Sequence, residues 1–160
     1  MRRSDKEVTS PREIAEILTR AEVCRLALND GGYPYIVPMN FGFGDPEEGE
    51  REGEKALFFH SALQGKKIDL LRRDPRVAFE VDVDTELVTS EEACSFTMRY
   101  RSVCGRGRVR FLEDDEAKRR ALNRIMGHYT GKGDWDFPEK MLKAIAVFVL
   151  EIEEISAKKS

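Results

Sequence analysis

Residues 58–77 of the chain read FFHSALQGKKIDLLRRDPRV. The apolar and aromatic residues at the start of this stretch are typical of a buried strand, which ends near His60. Between Gly65 and Arg73 the apolar residues recur at helical spacing, and Pro75 ends the helix because its ring disfavours a helical conformation in the preceding residue. A second strand follows from Arg76. This stretch therefore predicts a strand, a helix and a strand in direct succession.

Two lysines, Lys66 and Lys67, fall in the first turn of the predicted helix. The first N–H groups of a helix have no partner within the helix, and the helix dipole makes this end electropositive. Two ammonium groups are unfavourable there unless an anion binds, and a phosphate would satisfy the lysines, the N–H groups and nearby Ser61 together. The alternative is that both lysines belong to the solvated face of a short amphipathic helix.

The chain has 160 residues and a formal net charge of −3. This length suits a single domain with its own core, and we expect one domain over residues 1–160, with residues 1–9 flexible and residues 156–160 forming a tail. The small negative charge argues against general nucleic-acid binding, which needs a dominant basic face. No apolar run approaches the length of a membrane span and no signal-peptide core follows the basic N-terminus, so we expect a soluble, cytoplasmic protein.

Three cysteines, Cys24, Cys94 and Cys104, form no C-x-x-C pair. Their odd number and spacing favour free thiols in a reducing compartment. We expect Cys24 and Cys104 to be buried because both fall within predicted strands. The chain has only two histidines, His60 and His128, so a closed metal site would need ligands from far-apart segments, and we expect none.

The remaining residues predict an antiparallel barrel. Capping residues and apolar spacing indicate one helix after Ser10 and another from Asp114 or Asp115 to His128. The predicted strands cover residues 23–28, 35–43, 56–59, 76–83, 95–112 and 144–152, with a hairpin turn at residues 29–32, an acidic hairpin tip at residues 45–54 and a polar excursion at residues 85–93. Six mostly antiparallel strands with glycine corners and flanking helices predict a mainly-β fold, a small Greek-key barrel.

Pro38 lies inside the strand predicted for residues 35–43. Because proline has no N–H group, this strand must lie at a sheet edge, contain a bulge, or present its backbone to a ligand such as a flat heterocycle. A plain edge strand and a ligand-facing strand are both compatible with the sequence.

The strand predicted for residues 95–112 is rich in arginine, at Arg99, Arg101, Arg106, Arg108 and Arg110. These side chains could be solvated, pair with acidic groups, or meet an anionic cofactor. Trp135 is the only tryptophan and lies in a polar loop. Large aromatic residues in such loops serve either as interface and ligand-stacking residues or as packing lids.

Four segments together resemble the FMN-binding split-barrel family typified by pyridoxamine 5′-phosphate oxidase, and within it the nitroimidazole-reductase-like (nitroimidazole resistance) branch. They are VCRLA at residues 23–27, YPYIVPMNF at residues 33–41, residues 59–77, and MRYRSVCGRG at residues 98–107. The resemblance spans nearly the whole chain. It implies a six-stranded antiparallel Greek-key split barrel that binds FMN at the interface of a homodimer.

The resemblance also implies roles for individual residues. Val37, Pro38, Met39 and Asn40 would run beside the isoalloxazine ring, while Phe59, His60 and Ser61 would flank the flavin and its ribityl phosphate. Lys66 and Lys67 would bind the phosphate, and Ser102 would reach the polar edge of the flavin. Trp135 remains a candidate for stacking at the interface, contributed by one subunit or the other.

The function implied is that of an FMN-dependent oxidoreductase that reduces a small acceptor such as a nitroaromatic compound. The candidate for catalysis is His60, since an imidazole beside the flavin can move a proton near neutral pH or can simply hydrogen-bond the cofactor. The chain lacks a C-terminal Trp-x-x-Arg ending, which argues against pyridoxal phosphate synthesis. The alternative is a non-catalytic module that binds flavin, deazaflavin or haem, the last with His60 and His128 as axial ligands.

Overall fold

The computed structural model describes residues 4–45 and 55–160. Within these ranges the chain forms eight strands and four α-helices. The strands are β1 (Glu7–Val8), β2 (Cys24–Leu28), β3 (Tyr35–Met39), β4 (Gly42–Gly44), β5 (Ala56–Ala62), β6 (Arg76–Val88), β7 (Thr97–Leu112) and β8 (Ile145–Lys159). The helices are α1 (Pro11–Arg20), α2 (Lys66–Arg73), α3 (Asp115–Thr130) and α4 (Glu139–Lys143).

The strands form one antiparallel sheet in the order β3-β2-β6-β7-β8-β5-β4, and β1 pairs with β8. The sheet curls into a barrel that is split between its two edge strands, β3 and β4. A mainly-β antiparallel barrel with flanking helices confirms the predicted fold class.

Alternation along β5 places its side chains on two separate cores. Phe59 points into the barrel, where its ring stacks on Phe148 at 5.4 Å, and helices α1 and α2 contribute Ile17, Leu18, Ile68 and Leu71 to the same core. Phe58 points to the outside of the barrel. There α3 and α4 cover the sheet with Leu122, Ile125 and Leu142. Helices α1 and α2 therefore pack their apolar side chains onto the core inside the barrel, whereas α3 and α4 form a layer on its outside.

The strand predicted for residues 35–43 is in fact two strands at opposite edges of the sheet. Strand β3 pairs with β2, and β4 pairs with β5. Between them the backbone N–H of Phe41 donates to the hydroxyl of Tyr129 on α3, at 3.0 Å, and not to a neighbouring strand. This division and the short β1 raise the strand count from the predicted six to eight.

Two predicted strand boundaries are also wrong. Strand β6 continues to Val88 through a register shift between Val83 and Glu86, so part of the predicted polar excursion is strand. Strand β8 continues to Lys159, because residues 154–159 pair with β7 and residues 157–158 with β1; residues 156–159 are therefore not a tail. Near the N-terminus, Val8 is buried against the barrel core. The acidic tip lies mostly outside the described residues.

Other predictions agree with the structure. Ser10 accepts a hydrogen bond from the Glu13 N–H at the start of α1, Asp114 does the same for Ala117 at the start of α3, and Gly131 ends α3 with φ of 72°. Strand β7 is long and irregular, with a register shift against β8 between Arg106 and Gly107.

The arginines of β7 pair with carboxylates, which selects one of the three interpretations of that strand. Arg106, Arg108 and Arg110 face Glu154, Glu153 and Glu151 of β8, respectively. Arg101 binds Asp84 and Glu16, and Arg99 lies 3.5 Å from Glu86.

All three cysteines are free thiols, and one of the two that were expected to be buried is exposed. Cys24 is buried in the barrel, and burial raises the pKa of its thiol to about 12. Cys94 and Cys104 are exposed. The prediction of a buried Cys104 is wrong because its side chain points to the outside of the barrel, away from the buried Val103. None of the helices in the described ranges is both long and apolar enough to cross a membrane.

Candidate functional site

The candidate site lies where the N-terminus of α2 meets the ends of β3 and β5. Lys67, half-buried in the first turn of α2, points across to β3, and its ammonium lies 3.1 Å from the thioether sulfur of Met39. A thioether is a weak acceptor for a cation. Desolvation lowers the pKa of Lys67, as expected for an ammonium that burial separates from water without giving it a carboxylate. An anion is the partner that this side chain lacks.

The backbone at the start of α2 also favours an anion. Gly65, the N-cap, has φ of 129°, a conformation that is essentially restricted to glycine, and it provides no side-chain cap. The carbonyl of Gly65 accepts from the N–H groups of Ile68 and Asp69. In the described part of the chain no hydrogen bond is recorded for the N–H groups of Lys66 and Lys67. A β-carbon placed on Gly65 would meet nothing within 4 Å, so the space beside this N-cap is open.

Lys66 behaves differently from its neighbour. Its ammonium lies 2.6 Å from the carboxylate of Asp30 in the β2–β3 turn and 5.0 Å from the centre of the Tyr35 ring. The two lysines predicted to converge on a phosphate therefore point to different partners. The charge of Lys66 is already compensated, and that of Lys67 faces only a thioether.

His60 lies near the end of β5 on the outer face of the barrel, exposed and beyond the buried Phe58. Desolvation lowers the pKa of its imidazole, and the positive charge of Lys67 lowers it further. The ring is therefore mainly neutral at pH 7, and it suits the acceptance of a proton or a neutral hydrogen bond better than the role of a strong acid. The charge of Lys67 thus acts on the imidazole of His60.

The other residues predicted at the site, on β3 and β5, differ in how far their side chains are exposed. Pro38 is exposed on β3, an edge strand, as its missing N–H required. Asn40 is exposed just after β3, Val37 is partly buried and Met39 is buried beside Lys67. On β5, Ser61 is partly buried. The Phe59 side chain lies in the barrel core, so at the site only its backbone is available.

Ser102 and Trp135 are not brought to this point within one chain. Ser102 on β7 pairs with Lys158 of β8, whereas His60 pairs with Val147 near the other end of the same strand. Trp135 lies beside α3 with 44% of its surface exposed. Its backbone exchanges two hydrogen bonds with the side chain of Asn123, and its indole N–H donates to the carbonyl of Lys132.

Trp135 lines a cavity of about 760 Å³ that lies along α3, apart from the site around Lys67. Its other walls include Phe43, Phe58, Leu112 and Arg124. The tryptophan is thus held by hydrogen bonds of its backbone and its indole N–H, and its ring is partly exposed.

His128 is placed unfavourably for ligating a haem. Its Nε2 lies 2.7 Å from the carbonyl of Ala21, and its ring packs at 4.5 Å on Phe41. The first contact holds the end of α3 against the loop between α1 and β2, and the second holds it against the connection between β3 and β4. Of the two histidines, His60 is the one whose ring is exposed.

Sequence reasoning missed Asp30 and Tyr35 as neighbours of the lysines. Asp30 was assigned only to a turn, and no local pattern connects it to a helix that follows more than a strand later. Their proximity arises because the β2–β3 turn runs alongside α2: Asn29 binds Asp74 at one end of the helix, and Asp30 binds Lys66 at the other.

The chain matches a family model described as pyridoxamine 5′-phosphate oxidase over residues 10–159. No curated protein sequence matches it.

The solved structures similar to it include the following three. One is described as a candidate 5-nitroimidazole antibiotic resistance protein from Bacteroides thetaiotaomicron, with 31% identity, a TM-score of 0.81, and coverage of 96% of this chain and 86% of the other. A FAD-binding protein from Mesorhizobium loti has 26% identity, a TM-score of 0.63 and coverage of 94% and 95%. The flavocytochrome Anf3 from Azotobacter vinelandii, with 22% identity, a TM-score of 0.80 and coverage of 100% and 72%, supports the fold alone.

Proposed function

Because the chain belongs to the pyridoxamine 5′-phosphate oxidase family, we propose that it is a flavin-dependent oxidoreductase that binds FMN and reduces a small acceptor. The observation that carries this proposal is Lys67, a half-buried ammonium that faces a thioether in the first turn of α2, where N–H groups lack partners within the helix. Such an arrangement fits a phosphate monoester.

The residues present fit the phosphate end and the ring end of FMN. Lys67, the N–H groups at the start of α2 and the hydroxyl of Ser61 would hold the phosphate. The exposed residues at the end of β3, Pro38 and Asn40, would lie beside the isoalloxazine ring. An edge strand supports this role, since its outer backbone groups have no neighbouring strand to bind.

Bound flavin would supply the redox chemistry, by accepting and passing on electrons. The protein's own contribution is to bind the phosphate, orient the ring against β3 and place His60 nearby. His60 is mainly neutral at pH 7, so it can accept a proton at an imidazole nitrogen during turnover. Desolvation is the main cause of the lowered pKa of His60, and an anion bound at Lys67 would reduce only the smaller contribution of the ammonium.

We also propose a homodimer, because one chain does not bring Ser102 to the His60 end of β8. The outer face of β2, β6, β7 and β8 is exposed and combines small side chains, such as Ala78 and Cys104, with charged pairs such as Arg106 and Glu154. Small residues allow close approach of a second sheet or helix. A second copy seated there would supply its own Ser102 to the partner's site.

The acceptor we propose is a nitroaromatic compound such as a 5-nitroimidazole. The relative from Bacteroides thetaiotaomicron, 31% identical, is described by resistance to this class of drug. Reduction of the nitro group requires electrons and protons together, which a flavin and a nearby base can provide.

The first test is the visible spectrum of the purified protein, followed by release and identification of any chromophore. We expect oxidised-flavin bands and released FMN. Release of FAD alone would contradict the FMN assignment, and a colourless protein that takes up neither flavin would contradict the function.

Turnover is tested on the flavin-loaded protein after anaerobic reduction with dithionite. Addition of a 5-nitroimidazole should restore the oxidised-flavin spectrum faster than an equal concentration of the parent imidazole. Equal rates for the two compounds would argue against nitro reduction.

A second candidate, a non-catalytic haem-binding module, is favoured by one observation, the exposed and mainly neutral imidazole of His60. Addition of haem would then give a Soret band that is lost in His60→Ala and retained in His128→Ala. A Soret band that is the same in both variants would exclude His60 as the ligand.

A further inference from the structure

The two adjacent lysines at the start of α2 differ in how their charges are balanced. Lys66 lies 2.6 Å from Asp30, and the same carboxylate is 3.9 Å from Arg73 at the other end of the helix. Lys67 has no comparable contact with a carboxylate in the described residues; its recorded partner is the sulfur of Met39. An incoming anion therefore meets one uncompensated lysine and one ion pair.

We propose that Asp30 sets the anion affinity of this site: it neutralises Lys66 and leaves Lys67 as the lysine that holds the phosphate. The inference rests on the proposed flavin function and assigns the two lysines unequal roles. Asp30 is a tuning residue that acts through Lys66, and it need not touch the ligand.

The effect of Asp30 has two parts with the same sign. Its carboxylate engages the ammonium of Lys66, which would otherwise be free to attract a phosphate. It also places a negative charge near the start of α2, where a second negative charge must bind. Removal of the carboxylate would free the ammonium of Lys66 and would remove the repulsion between Asp30 and a bound phosphate. The affinity for a phosphate should therefore rise.

The turn that carries Asp30 is held independently of this carboxylate. Asn29 donates to Asp74 at 3.0 Å, its carbonyl accepts from Arg73 at 3.1 Å, and its own side chain accepts from the N–H of Gly31 at 3.0 Å. Asp30→Asn should therefore leave the turn in place and change only the charge. Lys66 also keeps its contact with the Tyr35 ring in that variant.

The test measures dissociation constants for FMN and for riboflavin, which lacks the phosphate, by quenching of flavin fluorescence at low ionic strength. The proteins are the wild type, Asp30→Asn, Lys66→Met, Lys67→Met and the double variant Asp30→Asn/Lys66→Met. Glu139→Gln serves as the control, because it removes the same charge from another exposed ion pair, with Lys143 on α4.

We expect Asp30→Asn to tighten FMN binding about threefold to tenfold and to leave riboflavin binding unchanged. Lys66→Met should weaken FMN binding by a smaller factor than Lys67→Met does, since it leaves the Asp30 carboxylate without this partner, and it should reverse the gain in the Asp30→Asn background. Lys67→Met should weaken FMN binding by about tenfold or more. Glu139→Gln should have no effect.

Three results would overturn the inference: unchanged or weaker FMN binding in Asp30→Asn, equal gains for FMN and riboflavin, or equal losses in Lys66→Met and Lys67→Met. Failure of the wild type to bind FMN would instead contradict the proposed function. In that case the same proteins would be titrated with inorganic phosphate, and binding would be followed through the backbone amide NMR signal of residue 67. The same order of affinities would support the inference alone, and no phosphate binding would overturn both.

Discussion

The hydroxyl of Tyr129 accepts a hydrogen bond from the backbone N–H of Phe41 and donates one to the carbonyl of Glu22, at 3.0 and 2.8 Å. Phe41 lies where the chain leaves β3 and enters β4, at the split of the barrel. The neighbouring contact of His128 with the carbonyl of Ala21 reinforces the same junction. The end of α3 thus supplies the hydrogen bonds that a strand neighbour would otherwise provide.

Tyr129→Phe should lower the free energy of unfolding by about 1–3 kcal/mol, because it leaves the Phe41 N–H and the Glu22 carbonyl without this partner. The measurement is urea unfolding followed by circular dichroism. Tyr33→Phe is the matched control, since Tyr33 is 93% exposed and its hydroxyl should contribute little. Equal changes in the two variants would contradict the role of the Tyr129 hydroxyl.

The imidazole of His60 should titrate below its ordinary value of 6.5 in the unliganded protein, as followed by NMR of the ring protons. Lys67→Met should raise the pKa of His60 because it removes a nearby positive charge. The value should nevertheless stay below 6.5, since desolvation is the larger cause.

Lys66→Met is the control for this titration, because the charge of Lys66 is paired with Asp30. It should leave the pKa of His60 unchanged. A larger shift in Lys66→Met than in Lys67→Met would contradict the geometry of the site.

Gly107→Ala should be strongly destabilising, by about 3 kcal/mol, because a β-carbon there would lie only 1.9 Å from the carbonyl oxygen of Glu151 on β8. This close approach occurs at the register shift between β7 and β8. The measurement is thermal or urea unfolding. Gly32→Ala is the control, since a β-carbon at Gly32 meets nothing within 4 Å, and comparable losses in the two variants would exclude backbone contact as the cause.

The carboxylate of Asp84 accepts a hydrogen bond from Arg101 at 2.6 Å and also pairs with Arg20. The backbone of Asp84 itself has a φ of 57°. The hydrogen bond from Arg101 is the main cause that lowers the pKa of Asp84 from 3.8. A lowered pKa in the folded state means that the ion pairs stabilise the protein above pH 3.8 and that this contribution is lost as the pH falls below that value.

Asp84→Asn should therefore cost up to about 1 kcal/mol at pH 7 and less at pH 3, since exposed ion pairs contribute little. Asparagine tolerates the positive φ, so the backbone should not add to the loss. The check is urea unfolding of both proteins at both pH values. The same difference at pH 7 and pH 3 would contradict an electrostatic origin.

Much of the fold could be predicted because it depends on local patterns. The apolar periods, Ser10, Asp114 and the proline after α2 place α1, α2, α3 and most strands within a few residues of their observed bounds. The division of residues 35–43 into β3 and β4 could not be predicted, because its cause is the distant hydroxyl of Tyr129. Likewise, the length of β8 depends on pairing with β7 and β1, since residues 153–159 have no clear strand alternation of their own.

For the site, the sequence by itself determined the chemical groups: two lysines after a flexible Gly65, a histidine at a strand end and an edge proline, all close together in the chain. The tertiary structure decided which of them act together. It placed Lys67 beside Met39 and Lys66 beside Asp30. It also separated Ser102 from His60, because the two residues pair with opposite ends of β8. The physical reason is that spacing along a helix or strand sets the direction of a side chain, whereas its charge balance depends on partners that only the folded chain brings near.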